Sequence, residues 1–191
     1  MEYALGIEGA PETVPGGSGI LVVHPSTAAA DDVDTAFLEG SDESVLVVST
    51  HSAAREVGQK LDHWGIDRDR VEILDAISVE RGYTRRPKDD VAYLTAPDDL
   101  AGLVAHVEDF LARQDGPARV TLDTITELIY YADAEQVGEA VGDVLDLLET
   151  HDAVGLFHLA SGVHDDAIDD LRPAFVGVVE LDDDGTVDAD F

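Results

Sequence analysis

Histidines beside carboxylates are the first residues in this chain that could do chemistry. His158, His164, Asp165 and Asp166 fall close together and could ligate a metal. Their spacing matches neither H-E-x-x-H nor a zinc pattern, and a histidine inside an apolar strand also serves as a hydrogen-bonded core residue. The segment Arg81-Gly82-Tyr83-Thr84-Arg85-Arg86-Pro87-Lys88 holds four of the 11 basic residues. Arg81, Arg85, Arg86 and Lys88 would contact an anion, a protein partner or a second subunit, or would pair with carboxylates of their own surface. Nucleophilic catalysis has little to work with. The chain has no cysteine, and no G-x-S-x-G surrounds Ser49 or Ser161. The Gly16-Gly17-Ser18-Gly19 run precedes an apolar strand, the wrong side for a dinucleotide-binding fingerprint. Tyr130 and Tyr131 read as packing residues or as an aromatic interface.

These residues sit on short apolar, β-branched runs that alternate with segments of helical period. The strand candidates are Ile20–Val23, Val45–Val48, Val71–Leu74, Val91–Leu94, Val120–Leu122, Ala153–Leu159 and Phe175–Leu181. Most are continuous rather than alternating, which predicts strands covered on both faces. Leu100, Leu103, Val104, Val107, Phe110 and Leu111 make one helical stripe. Pro97 is expected to open that helix, with Asp98 and Asp99 in its first turn. Val137, Val141, Val144, Leu145 and Leu148 make a second stripe; Val57, Leu61 and Trp64 make a third, ended by Gly65. Asp182–Gly185 reads as a turn between the last strand and a hairpin partner at Thr186–Phe191. The β-α-β-α-β order predicts one α/β domain over residues 1–191, with a mainly parallel sheet and helices on both faces.

Charge bounds the partners. The chain carries 42 acidic residues against 11 basic ones, a formal net charge of −31 over 191 residues. With 45% hydrophobic residues, the acids overlie a normal core and do not make a disordered tail. Duplex nucleic acid and anionic membranes are poor partners, since both need positive charge. No apolar run approaches the roughly 20 residues of a membrane span. The stretch MEYALGIEGA lacks the basic and apolar regions of a secretion signal. Only two bases are lysine, Lys60 and Lys88. Diffuse acids, scarce lysine and abundant Ala, Val and Gly resemble a cytoplasmic protein of a salt-in halophilic archaeon. The acids match no EF-hand pattern.

Three stretches together resemble the RecA/KaiC-type ATPases. Pro15-Gly16-Gly17-Ser18-Gly19-Ile20-Leu21-Val22-Val23 is similar to the Gly-rich approach to that family's first core strand, which the phosphate loop follows. Val45-Leu46-Val47-Val48-Ser49-Thr50, a helix, Gly65-Ile66-Asp67 and Val71–Asp75 resemble the second strand, a helix ending in a "GID" turn, and the third strand. Ala118-Arg119-Val120-Thr121-Leu122-Asp123-Thr124-Ile125-Thr126-Glu127-Leu128 is similar to the Walker B strand and its exit. The resemblance implies a three-layer RecA-like core closed by a C-terminal β-hairpin, and it covers nearly the whole chain.

The resemblance also implies an ATP–Mg²⁺ site, and here the chain departs from the pattern. An active phosphate loop reads G-x-x-x-x-G-K-[ST]. In register, this chain has His24-Pro25-Ser26-Thr27-Ala28-Ala29-Ala30-Asp31. Ala30 takes the lysine position and Asp31 that of the hydroxyl, which puts a carboxylate beside the phosphate site. The catalytic glutamates expected after the second strand are replaced by Ser49-Thr50-His51-Ser52. A degenerate nucleotide site would comprise His24, Ser26, Thr27, Asp31 and Asp123. Asp123 itself reads as a Mg²⁺ ligand or, more simply, as a helix N-cap. The expectation is a non-catalytic RecA/KaiC-like protein with no cofactor, acting as a regulatory or scaffolding partner or by self-association. The alternative is a nucleotide-binding protein or NTPase with an altered loop, Asp31 and Asp123 holding metal and His51 acting as base.

Overall fold

The computed structural model describes residues 1–39, 42–83, 88–163 and 166–191, without the side chains of 27, 28, 167 and 168. The apolar runs form strands with nearly the expected bounds. They are β3 (Gly19–His24), β4 (Ser44–Ser49), β5 (Val71–Asp75), β6 (Val91–Tyr93), β7 (Ala118–Asp123), β8 (Val154–Ala160), β9 (Gly177–Leu181) and β10 (Val187–Asp190). They make one sheet in the order β10-β9-β3-β8-β7-β4-β5-β6. All neighbours pair in parallel except the C-terminal β9–β10 hairpin. The hairpin turns at Asp182–Gly185, where the Asp182 carboxylate accepts the Asp184 and Thr186 N–H groups.

Each strand splits its side chains between two cores, as period-two geometry demands. Leu21, Val23, Leu46, Val48, Val120, Leu122 and Phe157 face the layer of α3 (Leu100–Ala112), α4 (Ile125–Tyr131) and α5 (Ala134–Thr150). Ile20, Val22, Val45, Val47, Ile73, Val154 and Leu156 face the layer of α1 (Asp31–Leu38) and α2 (Ala54–His63). All five residues of the α5 stripe are buried. Val57 and Leu61 of α2 are buried as well, and Gly65 ends that helical segment at φ +73°, a conformation costly for a residue with a Cβ.

Several local features differ from expectation. The helix α3 starts at Leu100, because the Asp99 side chain caps it by accepting the Gly102 N–H at 3.0 Å; Pro97 and Asp98 precede it. The cap of α4 is Thr124, which accepts the Thr126 N–H at 3.0 Å, so Asp123 is not the N-cap. An additional antiparallel hairpin forms from β1 (Glu2–Ala4) and β2 (Thr13–Pro15). A short helix, α6 (Asp166–Asp169), lies between β8 and β9. Among the described residues no helix is long and apolar enough to cross a membrane.

Candidate functional site

The carboxyl ends of the strands place polar residues on the face that meets α1 and α2. His24 ends β3, Ser49 ends β4, Asp75 ends β5 and Asp123 ends β7. Alternation puts each on the side of Ile20, Val47, Ile73 and Thr121, and His158 of β8, paired with Val22, joins them. Five apolar runs therefore finish in a polar row at the place where parallel α/β sheets take their ligands.

The helices complete the row with opposite charges. From α1, one turn apart, come Asp31 and Asp34. From α2 comes Lys60, whose ammonium donates to the Asp31 carboxylate at 2.7 Å and lies 5.4 Å from the Trp64 ring centre. Asp34 reaches inward to His158 Nε2 at 2.9 Å. The His158 ring is 5.3 Å from that of His24, whose two nitrogens are buried with no well-formed hydrogen bond among the described residues. Asp31 and Asp34 thus meet cations supplied by the chain itself.

Titration follows from this geometry. Burial draws the His158 imidazole down, but the Asp34 charge and hydrogen bond, with Asp123 behind them, outweigh it and raise its pKa. His24 is pushed down to about 4 by burial and by the neighbouring His158; Asp34 and the Ser26 backbone only partly oppose this. The Asp123 carboxyl is raised by burial; the neighbouring His158, His51 and Lys60 pull against that rise and Asp34 adds to it. The centre thus sets the Asp34–His158 contact beside a His24 imidazole that burial and His158 hold back from protonation.

The hydroxyls at this end fasten backbone. Thr50 Oγ1 accepts the Thr124 N–H at 2.6 Å and bonds the Asp123 carbonyl, holding the β4 and β7 exits together across a cis Asp123–Thr124 peptide bond. The Ser49 hydroxyl donates to the Ser52 carbonyl at 2.8 Å. His51 stands at the exposed rim with Nδ1 3.2 Å from Glu127 Oε1, a carboxylate-oriented imidazole.

Of the residues expected at a nucleotide site, Asp123 lines the crevice, His24 lies behind His158, and Asp31 reaches Lys60. Ser26 is exposed and makes no capping bond, and the Thr27 side chain lies outside the described residues. The space enclosed by Ala30, Asp34, His51, Lys60, Asp123 and His158 is about 30 Å³. That holds a water molecule or two, against the several hundred Å³ of a ligand pocket. A Mg²⁺–nucleotide does not fit these residues: Ala30 supplies no charge, Asp31 is engaged by Lys60, and the enclosed space is too small. Among the described residues no group of three or more His, Asp or Glu is arranged to hold a metal ion. His164 and Asp165 lie outside the described residues.

Sequence reasoning missed Asp34 and Lys60. The signal for Lys60 was present, as one of only two lysines, on the helix whose stripe was legible. Asp34 carried none beyond lying one turn after Asp31. In the basic segment, Arg81 donates to the His51 carbonyl at 3.0 Å and Lys88 is exposed; Arg85 and Arg86 lie outside the described residues.

The sheet order, the two helical layers and the crevice at the strand ends define a RecA/KaiC-like α/β fold. A KaiC-like protein, PH0186, from the hyperthermophilic archaeon Pyrococcus horikoshii OT3 superposes with a TM-score of 0.67 at 13% identity, covering 99% of this chain and 85% of that one. PH0250 from the same organism superposes with a TM-score of 0.64 at 13% identity, covering 92% and 87%. At that identity the likeness shows the fold alone. The chain belongs to a family of unknown function, DUF7090, whose model matches residues 1–191. No curated protein matches it in sequence.

Proposed function

We propose that this protein is a RecA/KaiC-like protein without nucleotide hydrolysis, acting as a regulatory or scaffolding partner in a halophilic cytoplasm. One observation carries the reading: the phosphate end of the crevice is taken by the Asp31–Lys60 and Asp34–His158 pairs. In a phosphate loop, lysine and hydroxyl positions serve the nucleotide. In this chain the corresponding stretch serves the fold, tying the start of α1 to α2 and β8. A framework kept without its phosphate residues is suited to binding another protein. The basic segment with Arg81, Arg85, Arg86 and Lys88 is the proposed contact, since it would meet an acidic partner or a second copy against an otherwise negative surface.

The alternative, an NTPase with an altered loop, draws support from the His51–Glu127 contact, a general-base arrangement at the strand ends. Against it, Asp31 is committed to Lys60. The test is phosphate release from ATP with Mg²⁺ at molar KCl. No release above the protein-free rate is expected. Turnover that disappears in Asp123→Ala would establish the alternative.

A further inference from the structure

A second hollow, which shares no lining residue with this crevice, lies beside it. It opens between α2 and the sheet edge β5–β6, and encloses about 550 Å³. That is within the ~300–1,000 Å³ of small-molecule sites. Tyr83 and Tyr93 supply aromatic walls and Val91 an apolar one, with Ser78 and the Asp75 carboxylate at its base. Gly58 opens the floor, where a Cβ would come within 2.5 Å of the Arg68 guanidinium.

Its charges are unusual for a chain of net charge −31. The acids of its wall are already engaged. Asp75 accepts from the Ala54, Ile77 and Ser78 N–H groups and the Ser78 hydroxyl, at 2.6–3.1 Å. Glu56 accepts the Ala53 N–H at 3.1 Å, and Asp62 stands 4.0 Å from Arg68. The cations are less committed. Arg68 pairs with Asp90 through Nη2 but keeps a buried Nε–H without a partner among the described residues. Arg55 and Lys88 line the same hollow, and neither has a carboxylate partner among the described residues. By contrast, Lys60, Arg68, Arg113, Arg119 and Arg172 each pair with Asp or Glu. Where acids outnumber bases 42 to 11, two unpaired cations on one aromatic-walled hollow mark a place that awaits an anion from outside.

We propose that this hollow binds a small aromatic anion, a phosphate or carboxylate no larger than a mononucleotide. Its ring would lie against Tyr83 and Tyr93, and its charge would meet Arg55 and Lys88. The site shares no lining residue with the crevice of Asp34, Asp123 and His158, although Asp75 at its base belongs to the same row of strand ends.

The test is amide chemical-shift titration of the full chain, in the lowest KCl that keeps it folded. The probes are AMP and 4-hydroxyphenylacetate, with adenosine and inorganic phosphate as half-ligands. At least one aromatic anion is expected to move the Gly58, Ser78 and Tyr83 amides, about tenfold more tightly than either half-ligand. Arg55→Gln with Lys88→Gln, both surface changes, is expected to weaken it by about tenfold or more. Tyr83→Ala is expected to weaken the ring-bearing probes and leave phosphate unaffected. No movement by ~10 mM of either aromatic probe overturns the proposal. So does movement that survives the double substitution, or movement centred on Asp34 and Asp123.

Discussion

His24 closes an apolar strand with an imidazole that water does not reach and His158 repels when charged. Its folded pKa, about 4, lies below its ordinary 6.5. The unfolded chain therefore binds the extra proton first, and His24 withdraws stability as pH falls from about 6.5 towards 4. His158 has the opposite sign: its raised pKa contributes stability below the ordinary imidazole value, and this is lost as pH rises through the folded one. The acids of the surface also titrate at low pH, so the informative quantity is a difference. Between pH 7 and 4.5, urea unfolding should show wild type losing stability relative to His24→Leu, by about 1–3 kcal/mol. A constant gap would mean that His24 is already paired or protonated.

At the scale of elements, a buried arginine joins the N-terminal hairpin to α1 and β7, beside the ties from Met1 and Tyr3 to Asp152. Arg119 leaves β7 on the α1 face, donates to the carbonyls of Phe37 and Ala4 at 2.9 Å, and meets Glu43 at 3.2 Å. Its guanidinium also lies 4.7 Å from the Phe37 ring centre and 5.5 Å from that of Tyr3. Arg119→Ala should cost about 3–5 kcal/mol, since it strips Glu43 of a buried partner and opens a cavity. Hydrogen exchange should show the Tyr3 and Leu5 amides losing protection first; uniform loss would count against local pinning. The central strands were legible because continuous β-branched runs have few other uses. The β1–β2 hairpin was not, since strands of three residues carry no period. Nor was α1, whose opening Asp-Asp-Val-Asp offers one apolar residue in four. The Asp34–His158 pair joins residues far apart in sequence, and only the β3–β8 neighbourhood brings them together. The polar row was not read as such: His24, Ser49, Asp75 and Asp123 each end an apolar run, but only the parallel register sets them side by side.

At the scale of the molecule, the surface sets the solvent in which any of this operates. A net charge of −31 repels itself, and screening shortens from about 10 Å in 0.1 M salt to about 3 Å at 1 M. Folding should strengthen with KCl. A gain of a few kcal/mol corresponds to roughly 10 °C in Tm for a chain of this size, and a Tm indifferent to KCl would contradict a salt-adapted surface. Against that charge, Arg55 and Lys88 of the hollow beside α2 have no carboxylate partner among the described residues, and the crevice draws on its own Lys60 and His158.

The most direct measurement is calorimetric titration with ATP and with ADP, each with Mg²⁺, in ~2–3 M KCl, where surface repulsion is screened. If Lys60 and His158 occupy the phosphate end of the crevice, neither nucleotide should bind there, and any heat should be unaffected by Asp123→Ala. Binding at micromolar affinity or better that is lost in Asp123→Ala would contradict that, and would mean that the altered loop still cradles phosphate.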